Sequence, residues 1–117
     1  MSEYTQYFAL DSKFYGIASQ TLDLEGYKQN LAMVFAAFPD LHLTIEDMIA
    51  EGDKVVTRFT IHGTHRGQFQ GIPPTGKQFT ATGIAISYLV NGSGIELRME
   101  YDYLGMLQQL GVIPSMG

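Results

Sequence analysis

A chain of 117 residues with 45% hydrophobic and 16% charged residues is expected to form one domain, 1–117, burying roughly two-thirds of its unfolded surface. Its net charge of −5 argues against a nucleic-acid partner, because phosphate neutralisation needs clustered Lys and Arg. The absence of cysteine excludes disulfides, thiolate nucleophiles and cysteine–zinc sites and fits a cytoplasmic protein; no signal-peptide pattern and no apolar run of ~18 residues is present, so no membrane association is expected.

From Leu24 to Phe38 the residues Tyr27, Leu31, Val34, Phe35 and Phe38 recur at three- and four-residue spacing. That spacing predicts an amphipathic helix, ended by Pro39. Leu41, Leu43 and Ile45 alternate with His42, Thr44 and Glu46, a half-buried strand running towards Ile49. Glu51-Gly-Asp-Lys reads as a hairpin turn. Lys54 to His65 and Gln78 to Val90 are the next strands, both rich in β-branched and aromatic residues. Asn91-Gly-Ser-Gly94 is a second turn, Ile95 to Asp102 a further strand, and Tyr103 to Leu110 a short helix stopped by Gly111. Strands joined mainly by hairpin-length turns pair antiparallel, so the expected class is α+β, with helices packed on one side of an antiparallel sheet.

The strand from Ile95 places Glu96, Arg98, Glu100 and Asp102 on one face and Ile95, Leu97, Met99 and Tyr101 on the other. The polar face is either a solvated strand face or the wall of a cavity. Arg98 is ~7 Å along the backbone from Glu96 and Glu100 but ~13 Å from Asp102, so it neutralises Glu100 more easily. A lone carboxylate in an apolar pocket is tuned by desolvation towards general acid–base work near neutrality. Capping is the rival role, since Asp is a preferred N-cap and Asp102 directly precedes a helix.

His62 and His65, three residues apart, point to opposite faces of a regular strand and make a poor ligand pair, so no metal site is expected. His42 sits on a polar face and is expected to be exposed. His62 shares a face with Arg58 and Thr60. This stripe either lines a pocket beside Asp102, where a histidine assists proton transfer, or ends a strand with its ring satisfied by backbone groups. Gly67 to Gly76 lacks the following helix and the Lys-Ser/Thr of a phosphate loop. Gly71 and Gly76 supply unusual backbone angles there, Pro73-Pro74 stiffen the crossing, and Phe69 and Ile72 would cap the core or a pocket mouth.

Several segments together carry a resemblance: Gly26-Tyr-Lys, Phe38-Pro-Asp, Ile49-Ala-Glu-Gly-Asp-Lys-Val, Gly63-Thr-His-Arg-Gly with the following Ile72-Pro-Pro-Thr-Gly-Lys, Thr82-Gly-Ile, and Asp102-Tyr-Leu-Gly. From about Leu24 to Pro114 the chain resembles the SnoaL-like polyketide cyclase (ester cyclase) family of the NTF2-like superfamily. The resemblance implies a cone-like, strongly curved antiparallel sheet around an apolar pocket, with Asp102 as the catalytic acid–base. It further implies no cofactor, a small apolar oxygenated substrate and a homodimer formed through the sheet. In His65 it implies a residue that holds the turn.

The expected substrate-binding residues are His62, Arg98, Arg58, Phe59, His65 and Glu100. Two departures stand out: the family's Trp four residues before its Asp is Arg98 here, and Met1 to Leu10 supplies only the end of the usual N-terminal helical pair. A guanidinium at that position binds a carboxylate or enolate oxygen, or else serves as a surface salt-bridge partner. The expected function is cofactor-independent acid–base catalysis, by resemblance an intramolecular aldol cyclisation. The alternative is a non-catalytic small-ligand-binding or dimeric accessory protein.

Overall fold

The computed structural model describes residues 7–114. Among them the elements run β1 (Phe8–Tyr15), β2 (Leu22–Asp23), α1 (Leu24–Ala37), β3 (His42–Glu51), β4 (Lys54–Thr64), β5 (Gln78–Val90), β6 (Ser93–Tyr101) and α2 (Tyr103–Gln109). They form one six-stranded sheet in the order β2-β1-β6-β5-β4-β3. The β3–β4, β4–β5 and β5–β6 ladders are antiparallel, as the turn signals imply. The sheet as a whole is mixed, because β1 lies parallel to β6, with Phe14 opposite Leu97 and Tyr15 opposite Arg98. β1 begins at Phe8, so the end of the Met1–Leu10 stretch, where the sequence suggests the tail of a helical pair, is strand. Residues 1–6, which also belong to that expectation, lie outside the described residues.

Local chemistry sets the element ends. Asp23 caps α1, its Oδ1 accepting from the Gly26 N–H at 2.7 Å. The helix ends where the Phe38 N–H reaches Val34 O at 2.9 Å, and Pro39 follows. In β3 a bulge between Ile45 and Asp47 interrupts the pairing with β4. Thr60 donates to Glu46 and Arg58 to Asp47, so both carboxylates beside the bulge are met by outer-face residues of β4.

Two clusters of buried side chains lie on the inner face. One joins Ala37 and Phe38 to Phe69, Phe79, Ala81, Met106 and Leu110. The other joins Phe14, Leu24 and Tyr27 to Phe59, Ala85 and Leu97. Phe14 and Tyr27 stack with centroids 4.1 Å apart, and Phe38 meets Phe69 and Phe79 edge-on at 5.2 and 5.0 Å. Such geometry adds about 0.5–1.5 kcal/mol per pair beyond area burial. The Gly63–Lys77 connection docks on the end of α1, with Arg66 N–H and Gly67 N–H both donating to Ala37 O. Asp40 grips its start, accepting from the Thr64 N–H and hydroxyl at 2.8 and 2.7 Å.

Candidate active site

The two faces of β6 have different fates. Leu97 is buried, and Met99 and Tyr101 are half-buried against the core clusters on the inner face. Glu96, Arg98 and Glu100 project from the outer face, opposite Tyr88, Ile86 and Ile84 of β5. The same register carries Ile84 to Arg58 of β4, so Arg58, Arg98 and Glu100 share that outer face, with His62 two strand pairs further along β4.

The outer-face candidates are occupied with one another. Arg98 Nε lies 2.6 Å from Glu96 Oε2, and its guanidinium covers the Tyr15 ring 4.1 Å from the centroid. The bond to Glu96 holds the guanidinium above its ordinary range. Arg58 pairs with Asp47 at 2.7 Å. The His62 ring faces that of His42 across the β3–β4 pair, centroids 5.2 Å apart. Both histidines are exposed. Phe59 belongs to the core at 3% exposure, packed with Phe14 and Tyr27.

His65 is fully buried against Phe38 and ties the loop together. Its Nδ1 accepts from the Thr75 N–H at 3.2 Å and lies 3.1 Å from the Thr75 hydroxyl, while its backbone N–H donates to Lys77 O and its carbonyl accepts from Gly76 N–H. Among the described residues its buried Nε2 has no hydrogen-bond partner. No group of three or more His, Cys, Asp and Glu among the described residues is placed to hold a metal ion.

Asp102 directly follows β6 and caps α2. Its N–H donates to Thr82 O at 3.0 Å, its carbonyl accepts from Met106 N–H at 3.1 Å, and its Oδ1 accepts from Gly105 N–H at 2.9 Å. Gly105 explains the Asp-Tyr-Leu-Gly spacing. A Cβ there would overlap Asp102 Oδ2 and sit 2.7 Å from the carboxyl carbon, so only glycine leaves the carboxylate in place. The far end of α2 is pinned by Gln109, whose amide makes reciprocal bonds of 2.8 and 2.9 Å to the backbone of Thr80. Asp102 is therefore an exposed carboxylate on a fixed backbone.

Beside it an open cleft of about 590 Å³ lies where the β1–β2 connection, β6, the Gly63–Lys77 loop and α2 converge. That is within the usual range of ~300–1,000 Å³ for small-molecule sites. Ile17 and Met99 provide apolar wall; Ser19, Gln70, Tyr101 and Tyr103 bring polar atoms. Asp102 is flanked on both sides in the chain by residues that line it. Gly16 makes the cleft possible: with φ +85° its backbone lies on the Met99 carbonyl, which any Cβ would overlap. Of the expected binding residues, only Glu100 lines this cleft. Gln70 and Tyr101 carry no motif in the sequence, and Tyr103 lies within Asp102-Tyr-Leu-Gly with no role of its own assigned there; the available signal is that two tyrosines bracket the lone Asp102.

Curved mixed sheet, helices on one side and a cleft at the β6–α2 junction define a class of protein, and the chain belongs to the SnoaL-like polyketide cyclase family, whose model matches residues 1–110. Among curated relatives it is 31% identical over 77 residues to aklanonic acid methyl ester cyclase DnrD of Streptomyces peucetius, covering 66% of this chain and 53% of that protein. DauD of Streptomyces sp. (strain C5), also an aklanonic acid methyl ester cyclase, is 31% identical over 77 residues, 66% of this chain and 48% of its own length. The matched region thus spans about half the length of these relatives.

Among solved structures, AclR of Streptomyces galilaeus, a proposed hydroxylase, superposes with a TM-score of 0.89 at 26% identity, covering 99% of this chain and 73% of that one. IdmH of Streptomyces antibioticus, a proposed polyketide cyclase, gives 0.78 at 32% identity, covering 89% and 81%. No helix among the described residues is long and apolar enough to cross a membrane.

Proposed function

We propose that the protein is a cofactor-independent acid–base enzyme that closes a ring in a small apolar oxygenated substrate by intramolecular aldol addition, with Asp102 as the general acid–base. Family membership, together with a cleft lined by the residues on either side of Asp102, is the observation that carries this reading. In the step, the Asp102 carboxylate takes a proton from the carbon α to a carbonyl. The resulting enolate carbon attacks a ketone carbonyl in the same molecule, a C–C bond forms, and the new alkoxide recovers the proton. Mass is conserved and no redox partner is needed. The relatives that act on aklanonic acid methyl ester suggest an aromatic polyketide methyl ester as the substrate class.

The reading includes a cytoplasmic homodimer joined through the sheet, supported by exposed Ile49 and Ile84 on the outer face. Arg98, Arg58 and His62 would then act at that face or at its rim, Glu100 in the cleft, and His65 and Phe59 through the loop and core they hold. The helix-capping bond of Asp102 is the observation on the side of a non-catalytic binding protein, and the cyclase relatives weigh against it.

The test is incubation with aromatic polyketide methyl esters bearing a ketone side chain. The expected product has the substrate's mass and a shifted retention time, and Asp102→Asn does not form it. Equal product from wild type and Asp102→Asn, or none from wild type across the series, would overturn the proposal.

A further inference from the structure

Tyr101 lines the cleft, and its hydroxyl has no partner among the described residues. Its ring packs against both buried clusters and meets the Tyr103 ring edge-on, centroids 6.0 Å apart at 75°. A tyrosine held this way normally has a hydrogen-bond partner for its hydroxyl. Among the described residues no partner engages the Tyr101 hydroxyl, whereas the Tyr103 hydroxyl donates to Gln70 Oε1 across the cleft. Tyr101 therefore presents a fixed ring with an uncommitted donor beside Asp102. Arg98, the cation nearest along β6, is engaged with Glu96 on the opposite face of the strand.

We propose that the Tyr101 hydroxyl donates the hydrogen bond that seats the carbonyl oxygen of a flat, conjugated ligand in this cleft, its rings packed on Met99, Ile17 and the tyrosine pair. The inference rests on the reading of the cleft as the substrate site and goes further, assigning the group that holds the oxygen on which enolate charge develops. Preorganised donors at such an oxygen are among the strongest contributors to enzymatic rate. Burial, and next the neighbouring Tyr103, push the Tyr101 hydroxyl above its ordinary range, so it stays protonated and able to donate. The Gln70–Tyr103 bond ties the long loop to α2 at the cleft mouth and leaves Tyr101 free for the ligand.

The experiment is fluorescence titration of the full chain, which contains no Trp, with 2-acetyl-6-methoxynaphthalene and with 2-ethyl-6-methoxynaphthalene, a probe of closely similar shape lacking the carbonyl. Tyr101→Phe removes only the hydroxyl, and Tyr88→Phe on the outer face serves as control. The expected result is saturable binding of the acetyl probe weakened about 5-fold by Tyr101→Phe, with the affinity of the ethyl probe and the control unchanged, as befits loss of one hydrogen bond. Unchanged affinity of the acetyl probe in Tyr101→Phe would overturn the donor role and leave the cleft as the ligand site. Equal weakening of both probes would also overturn it, marking Tyr101 as packing alone. Failure of wild type to bind either probe would sink the inference together with the cleft's ligand class, while product formation that depends on Asp102 would still uphold the proposed reaction.

Discussion

Replacing Gly105 with Ala separates the two jobs assigned to Asp102. The added Cβ would overlap Oδ2 and lie 2.7 Å from the carboxyl carbon and 2.9 Å from Oδ1. The atoms it meets are the tip of one side chain, so the carboxylate swings away and the backbone stays. Loss of the cap bond costs about 1 kcal/mol. Ala in place of Gly in a helix returns about 0.5–1 kcal/mol through lower backbone entropy in the unfolded chain. The two terms nearly cancel, and the melting temperature is expected to stay within about 4 °C of wild type. Activity is expected to fall at least ~100-fold, the scale of a general base moved out of place. Thermal unfolding by circular dichroism and product formation by chromatography read the two effects on one sample. A Gly105→Ala enzyme with wild-type turnover would refute the reasoning, since a displaced Asp102 could not then be the base.

Two more outcomes follow from the geometry. Asp40 is held below the ordinary carboxylate range, first by the Thr64 hydroxyl and next by the Thr64 N–H. Its contribution to stability is therefore present above the unfolded value of ~3.9 and is lost as pH falls through the lower folded value. Melting temperatures taken from about pH 6 down to pH 3 should drop less steeply for Asp40→Asn than for wild type; parallel slopes would contradict the role of the Asp40–Thr64 clasp. Gly16→Ala should destabilise the fold by at least ~2 kcal/mol, because a left-handed backbone and a collision with the Met99 carbonyl coincide there. A urea midpoint equal to wild type would show that the β1–β2 connection is not held in this way.

Much of this architecture is readable from local chemistry. α1, β3 to β6 and α2 announce themselves through caps, turn residues and strict alternation, and their observed ends fall within two or three residues of the positions those signals imply. β1 is different. Its partner β6 lies at the other end of the chain and the pairing is parallel, with a register shift after Phe8, so no turn or alternation marks it. The site was half legible. Asp102 stands out, and its capping role follows from its place before a helix. The charged face of β6 reads as a possible cavity wall, yet the cleft takes only Glu100 from it, beside Met99 and Tyr101 of the apolar face. Met99 and Tyr101 there alternate like core residues, and only the three-dimensional gap left by the β1–β2 connection turns them into a lining. Periodicity reports which side chains share a face and is silent on whether that face meets a helix or an opening.

The most direct measurement is NMR-detected deuterium incorporation in D2O at the α-carbon of a conjugated 1,3-dicarbonyl ester, compared between wild type and Asp102→Asn. Asn retains the cap, so the variant should fold and melt like wild type. The account predicts exchange catalysed by wild type and reduced to the buffer rate in Asp102→Asn. Exchange equally fast in both proteins would contradict it, because the proton would then be leaving to some group other than Asp102.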